Sequence, residues 1–196
     1  MVSHAGAIAL YFMVGASGVA GEHRQGASVP RITDKVVLYP IQGTNIRAIQ
    51  RQLENHGPMA AGSGHGRTHS AFEVDAELED VKDECHMRGF ELSVEITMTL
   101  PEWQAPSRVS KELRSNWETA FAQLLRHEAG HRSHAVEMAY RLHGKLSRLP
   151  SQKNCFRLQH EIDNQLRMAT SELRLRGRLY DEMTGNGLRD EQSSSP

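Results

Sequence analysis

The chain has 196 residues, room for one domain with a substantial core. Lys plus Arg number 23 against 24 for Asp plus Glu, a balance that gives no electrostatic case for nucleic acid, which calls for a clustered basic face. Beyond the first twenty residues no apolar run is long enough to span a bilayer.

Ala5 to Gly15 is an uncharged apolar run, followed by Ala16, Ser17, Gly18, Val19 and Ala20. Gly18 and Ala20 suit the small-residue positions before a signal-peptidase cut, so residues 1–20 read as a signal peptide cleaved after Ala20. No Lys or Arg precedes the run, which leaves a buried N-terminal segment as the other reading. The signal peptide points to a secreted or periplasmic protein.

Residues 21–33 read as a flexible polar segment, 34–187 as a single domain and 188–196 as a disordered tail. Val36 to Gln42 has the pattern of a short strand, with Pro40 marking a sheet edge. Thr44 can cap a helix carrying Ile46, Ile49 and Leu53 on one face, which Gly57-Pro58 stops. Ala60 to His69 reads as a Gly-rich loop.

Two segments then alternate with a period of two. Phe72, Val74, Ala76 and Leu78 face one way, against Glu73, Asp75, Glu77 and Glu79. Phe90, Leu92, Val94, Ile96, Met98 and Leu100 alternate with polar residues up to Pro101. Both are strands with one buried face, pairing antiparallel through a loop that contains Cys85. The acidic row is the solvated face.

From Ser110 the apolar period becomes helical: Leu113, Trp117, Phe121 and Leu124 begin a helix reaching Leu146. Leu149-Pro150-Ser151 turns the chain. Cys155, Leu158, Ile162, Leu166, Ala169 and Leu173 define a second long helix that fades near Tyr180. The fold class is α+β, a small antiparallel sheet beside two long antiparallel helices.

His127-Glu128-Ala129-Gly130-His131 lies within the first long helix. Residues four apart project from one face, so the two imidazoles can converge on one zinc ion at about 2.0–2.1 Å per bond. Glu128 stands beside them as the general base for a water that zinc makes acidic. Gly130 costs about 1 kcal/mol against Ala inside a helix, and a close approach by another segment would explain it. His134, a further turn along, is too far round for the same ion and reads as a supporting or surface residue. His65 and His69 belong to the polar loop.

A catalytic zinc needs a third protein ligand. A hairpin folded about Leu149 sets His127 and His131 opposite Ser171 and Arg167, making Glu172 the nearest carboxylate. Asp181 and Asn186 fall past the helix, where the chain can fold back. Cys85 and Cys155 allow one intramolecular pairing: a disulfide if the chain is exported, buried thiols if not.

The run Tyr39 to Gly43, Gly57-Pro58, Cys85, Thr99-Leu100-Pro101-Glu102-Trp103, Trp117, the His127–His131 motif, Cys155 and Tyr180-Asp181-Glu182-Met183-Thr184 together resemble an uncharacterised bacterial family of predicted secreted zinc-dependent proteases. The likeness runs from Tyr39 to Gly187. It implies a zincin-like helix around His127 and His131, a Cys85–Cys155 disulfide, and peptide or protein as substrate. Members of that family close with a histidine where this chain has Asn186. If that histidine is the third ligand this chain lacks it; if the aspartate is, Asp181 completes the shell, and Asp181 is the residue taken here. Tyr180 is either a hydrogen-bond donor to a developing oxyanion or an aromatic closing the core. Zinc-dependent hydrolysis of peptide bonds is the expected activity, and a non-catalytic envelope binding protein, favoured by Asn186, is the alternative. By analogy with proteases of this motif, Phe90 to Leu100 or Val36 to Gln42 is expected to pair with extended substrate.

Overall fold

The computed structural model describes residues 29–58 and 65–186. The expected signal peptide, most of the segment 21–33 and the tail 188–196 lie outside the described residues. The elements run β1 (Arg31–Ile41), α1 (Ile46–His56), β2 (Arg67–Val81), β3 (Glu84–Trp103), α2 (Lys111–Leu146) and α3 (Cys155–Thr184), a mixed α+β order.

β2 and β3 form the expected antiparallel hairpin. They turn on two residues, Lys82 and Asp83, both with positive φ (51° and 67°), as a tight hairpin turn requires. A bulge falls between Glu77 and Leu78, which pair with Gly89 and Met87 and leave Arg88 as the extra residue. Cys85 belongs to β3 and not to a loop, because the two-residue turn lets pairing begin at Glu84.

The sheet itself corrects the expectation of a purely antiparallel one. Its order is β1-β3-β2, and β1 joins β3 in parallel, from Arg31 opposite Ser93 to Ile41 opposite Trp103. β1 also takes in residues 31–33, assigned above to a flexible segment. Backbone pairing to β3 sets that start, and the polar side chains of Arg31 and Thr33 conceal it. Pro40 does sit on an edge strand. Pro101 does not end β3: it lies past the last β2 pair, Arg67 with Thr99, where β3 has a neighbour on one side only.

One face of the sheet carries the helices. Leu92, Val94 and Ile96 are buried against Ala135, Met138, Ala139, Leu142 and Leu146 of α2 and Leu158, Ile162 and Ala169 of α3. Phe72, Val74, Ala76 and Leu78 pack on this core, and Glu73, Asp75, Glu77 and Glu79 are exposed on the opposite face. A second cluster, Ile41, Ile49, Leu53 and Leu113 with Tyr39, Trp103 and Trp117, seats α1 at the far end.

Capping fixes where the helices start. Asn45, not Thr44, caps α1, its side chain accepting from the Ala48 N–H. Thr44 stands one residue too early for its oxygen to reach that donor. Ser110 caps α2 by accepting from Leu113, and Asn154 caps α3 by accepting from Arg157. α3 continues past Tyr180 to Thr184, where Gly185 takes the left-handed conformation (φ 57°) and stops it.

The Cys85–Cys155 disulfide is present, joining residues 70 apart in sequence. Reciprocal backbone hydrogen bonds between Cys85 and Gln152 flank it. These bonds draw the connection after α2 along the hairpin end of the sheet, so α3 begins farther out than a tight turn about Leu149 would place it. The helices consequently pair in a different register from that expected. Arg141, not His127, meets Glu172, at 2.7 Å. No helix among the described residues is long and apolar enough to cross a membrane.

Candidate metal centre

α2 presents His127 and His131 from consecutive turns to the last turn of α3. Asp181 Oδ1 lies 3.1 Å from His127 Nε2 and 2.9 Å from His131 Nε2. The two Nε2 atoms are 3.2 Å apart. Three donor atoms on three side chains therefore form a nearly equilateral triangle. Metal bonds of about 2.0–2.1 Å in tetrahedral geometry set ligand atoms about 3.3–3.4 Å apart, so the triangle fits zinc to within a few tenths of an ångström. Two imidazoles and a carboxylate are also a donor set zinc accepts. Asp181 belongs to the final helical turn and is not on a segment folded back beyond it.

His127 is 6% exposed and Glu128 3%, whereas the Asp181 side chain is 38% exposed, so the centre opens on the α3 side. Glu128 Oε2 accepts a 2.7 Å hydrogen bond from the Thr68 hydroxyl of β2. Burial pushes the Glu128 carboxyl above its usual range, opposed by that hydrogen bond and by the nearby His131. The chain just before β2 approaches closely: a Cβ on Gly66 would lie 2.8 Å from Glu128 Oε1.

Gly130 has the explanation its position asked for. A Cβ there would collide with the Tyr180 hydroxyl and lie 2.8 Å from the ring's Cε1. Tyr180 is buried among three imidazoles. It stacks on His127 with centroids 5.0 Å apart and planes 10° apart, and meets His131 and His134 edge-on at 5.1 Å each. Thr184, 6% exposed, lies 3.1 Å from His127 Nδ1.

Other residues weighed above stand elsewhere. His134 touches Tyr180 and is outside the donor triangle. His69 lies in β2 opposite Thr97, since that strand begins at Arg67, and the His65 carbonyl accepts from the Tyr39 hydroxyl. Glu172 is held by Arg141 and Arg176. Asn186 follows Gly185, its N–H bonded to the Asp181 carbonyl, and the triangle closes without it. A second group of metal-type donors, Asp80 with Cys85 and Cys155, has its two sulfurs bonded to each other.

The expectation for the substrate edge also changes. Phe90 to Leu100 is in the central strand, and Ser93 to Thr99 within it is paired on both sides, which leaves that stretch no edge for a substrate. Val36 to Gln42 lies largely in β1, an edge, but the strand that touches Glu128 is β2, the other edge. Sequence reasoning passed over Thr68 and Thr184. Thr184 could have been found, because it falls three residues after Asp181 on the same helical face. A lone hydroxyl such as Thr68 leaves no spacing to read.

No curated protein and no solved structure matches the chain. The family model described as "Bacterial protein of unknown function (DUF922)" matches residues 36–187, which include every residue of the triangle, Glu128 and both cysteines. The chain belongs to that family.

Proposed function

We propose that the protein is a zinc-dependent peptidase that works outside the cytoplasm. His127, His131 and Asp181 hold the zinc, and Glu128 serves as general base. The observation that carries this reading is the triangle of donor atoms, all within 3.2 Å, beside a buried carboxylate held by a hydroxyl. Zinc bound there supplies Lewis acidity, bringing a water's pKa towards about 7 and polarising a substrate carbonyl.

Glu128 takes the proton from the attacking water and returns it to the departing amine. Its burial suits it to that work, since a carboxylate with a raised pKa is the stronger base. Thr68 holds the carboxylate through the hydroxyl bond to Oε2 and through its backbone. The outer edge of β2, unpaired among the described residues, offers backbone groups to an extended peptide next to that carboxylate. The disulfide, together with the apolar leader, supports export. Asn186 was the ground for a non-catalytic binding protein, and its place outside the triangle weakens that ground.

The test compares zinc-loaded parent and Glu128→Gln on an unfolded protein substrate such as casein. The expected result is hydrolysis that falls by about 10²–10⁴-fold in Glu128→Gln while zinc stays bound. Equal hydrolysis by both proteins, or none by a zinc-loaded parent, contradicts the reading.

A further inference from the structure

Among the described residues the Thr184 hydroxyl meets the Tyr180 carbonyl at 2.8 Å and His127 Nδ1 at 3.1 Å. A hydroxyl carries one proton, and the carbonyl can only accept it. The 2.8 Å bond to the carbonyl uses that proton, which makes the oxygen an acceptor towards His127 and Nδ1 the donor. With its proton on Nδ1, a neutral His127 carries a lone pair on Nε2, the atom that faces Asp181 Oδ1 at 3.1 Å. That lone pair points towards Asp181 Oδ1 and towards His131 Nε2 at 3.2 Å, where a cation held by all three atoms would sit.

We propose that Thr184 is a positioning residue that fixes His127 with its proton on Nδ1 and its lone pair aimed at the metal position. The inference rests on the zinc reading for its purpose, though not for its geometry. One turn of α3 does three things at once. Asp181 gives the third donor, Tyr180 stacks on the His127 ring and sets its plane, and Thr184 sets which nitrogen is bare. Partners on the far nitrogen of a ligand histidine tune its orientation and basicity in this way.

Two readouts on the parent, Thr184→Val and Thr184→Ser test it. Val keeps the shape and loses the acceptor; Ser keeps the acceptor. The first readout is the ¹⁵N spectrum of the His127 ring in metal-free protein at about pH 8.5, where an ordinary imidazole is neutral. The parent and Thr184→Ser should show the Nδ1–H form, and Thr184→Val should lose it. The second is zinc affinity by competition with a chromophoric chelator. Thr184→Val should bind about 10–100-fold more weakly, with Thr184→Ser close to the parent. An Nε2–H tautomer in the parent, or an Nδ1–H form that persists in Thr184→Val, overturns the proposal. A parent with the Nδ1–H form that binds no zinc leaves the role of Thr184 standing and removes the peptidase reading instead.

Discussion

The two ends of the α2–α3 pair are built from opposite materials. At the hairpin end, Leu142, Leu146, Leu158 and Ile162 are buried against the sheet, with the disulfide beside them. At the other end the same two helices bury His127, Glu128, Tyr180 and Thr184. Apolar burial is non-directional, and its worth follows the area removed from water. Polar burial is directional, and each buried group costs free energy unless it finds a partner. The apolar end thus contributes stability through buried area, and the polar end depends on the pairing of its own groups.

If the division is real, damage at the hairpin end should cost stability and spare the metal. Replacing both Cys85 and Cys155 with Ala should lower unfolding stability by about 2–4 kcal/mol, since the bond closes a 70-residue separation. Chemical denaturation measures the loss. Zinc stoichiometry of the protein that stays folded should not change. If the variant loses zinc in proportion to stability, the two ends are not separable.

Gly130→Ala attacks the other end. Its methyl would displace the buried Tyr180 ring, and overpacking of this kind costs about 1–3 kcal/mol. Moving Tyr180 also moves the ring stacked on His127, so zinc affinity should fall by more than the stability loss alone explains. A chelator competition run beside a melting curve separates the two. Zinc affinity equal to the parent's would mean that the stack does not position His127.

The smallest effect belongs to the bridge between β1 and α2. Arg132 grips Asp34 through two hydrogen bonds of 2.7 Å and holds its carboxyl below the usual carboxylate range, but both side chains are 38% exposed. Solvent screening limits such a pair to about 1 kcal/mol or less. Its sign is set by linkage: with the folded pKa lowered, the contribution is present above about pH 4 and is lost as pH falls through the folded value. Asp34→Asn should therefore be slightly less stable than the parent at neutral pH. The gap should close in acid and shrink in high salt.

Much of this arrangement was legible in the sequence, and the gaps have a common cause. The β2–β3 hairpin, the buried faces and the long helices followed from periodicity, because side-chain patterning reports which face is apolar. The same patterning carries no record of which strand lies beside which, so the parallel β1–β3 pairing was missed. Arg31, Thr33 and Thr68 lie in strands whose extent is set by backbone pairing. His127, Glu128 and His131 were plain from their spacing. Asp181 was taken from a family likeness, since the helix register that delivers it depends on where α3 begins, and backbone bonds between Cys85 and Gln152 fix that start. Gly130 gave notice of its neighbour through its cost in a helix, though nothing in the sequence named that neighbour as Tyr180.

The central claim is that His127, His131 and Asp181 form one zinc site. Its most direct test is elemental analysis of purified parent, His131→Ala and Asp181→Ala after exposure to zinc and removal of the excess. The account predicts one zinc per chain in the parent and a large loss in both variants. A parent without zinc after reconstitution, or an Asp181→Ala variant that holds zinc as firmly as the parent, would contradict it.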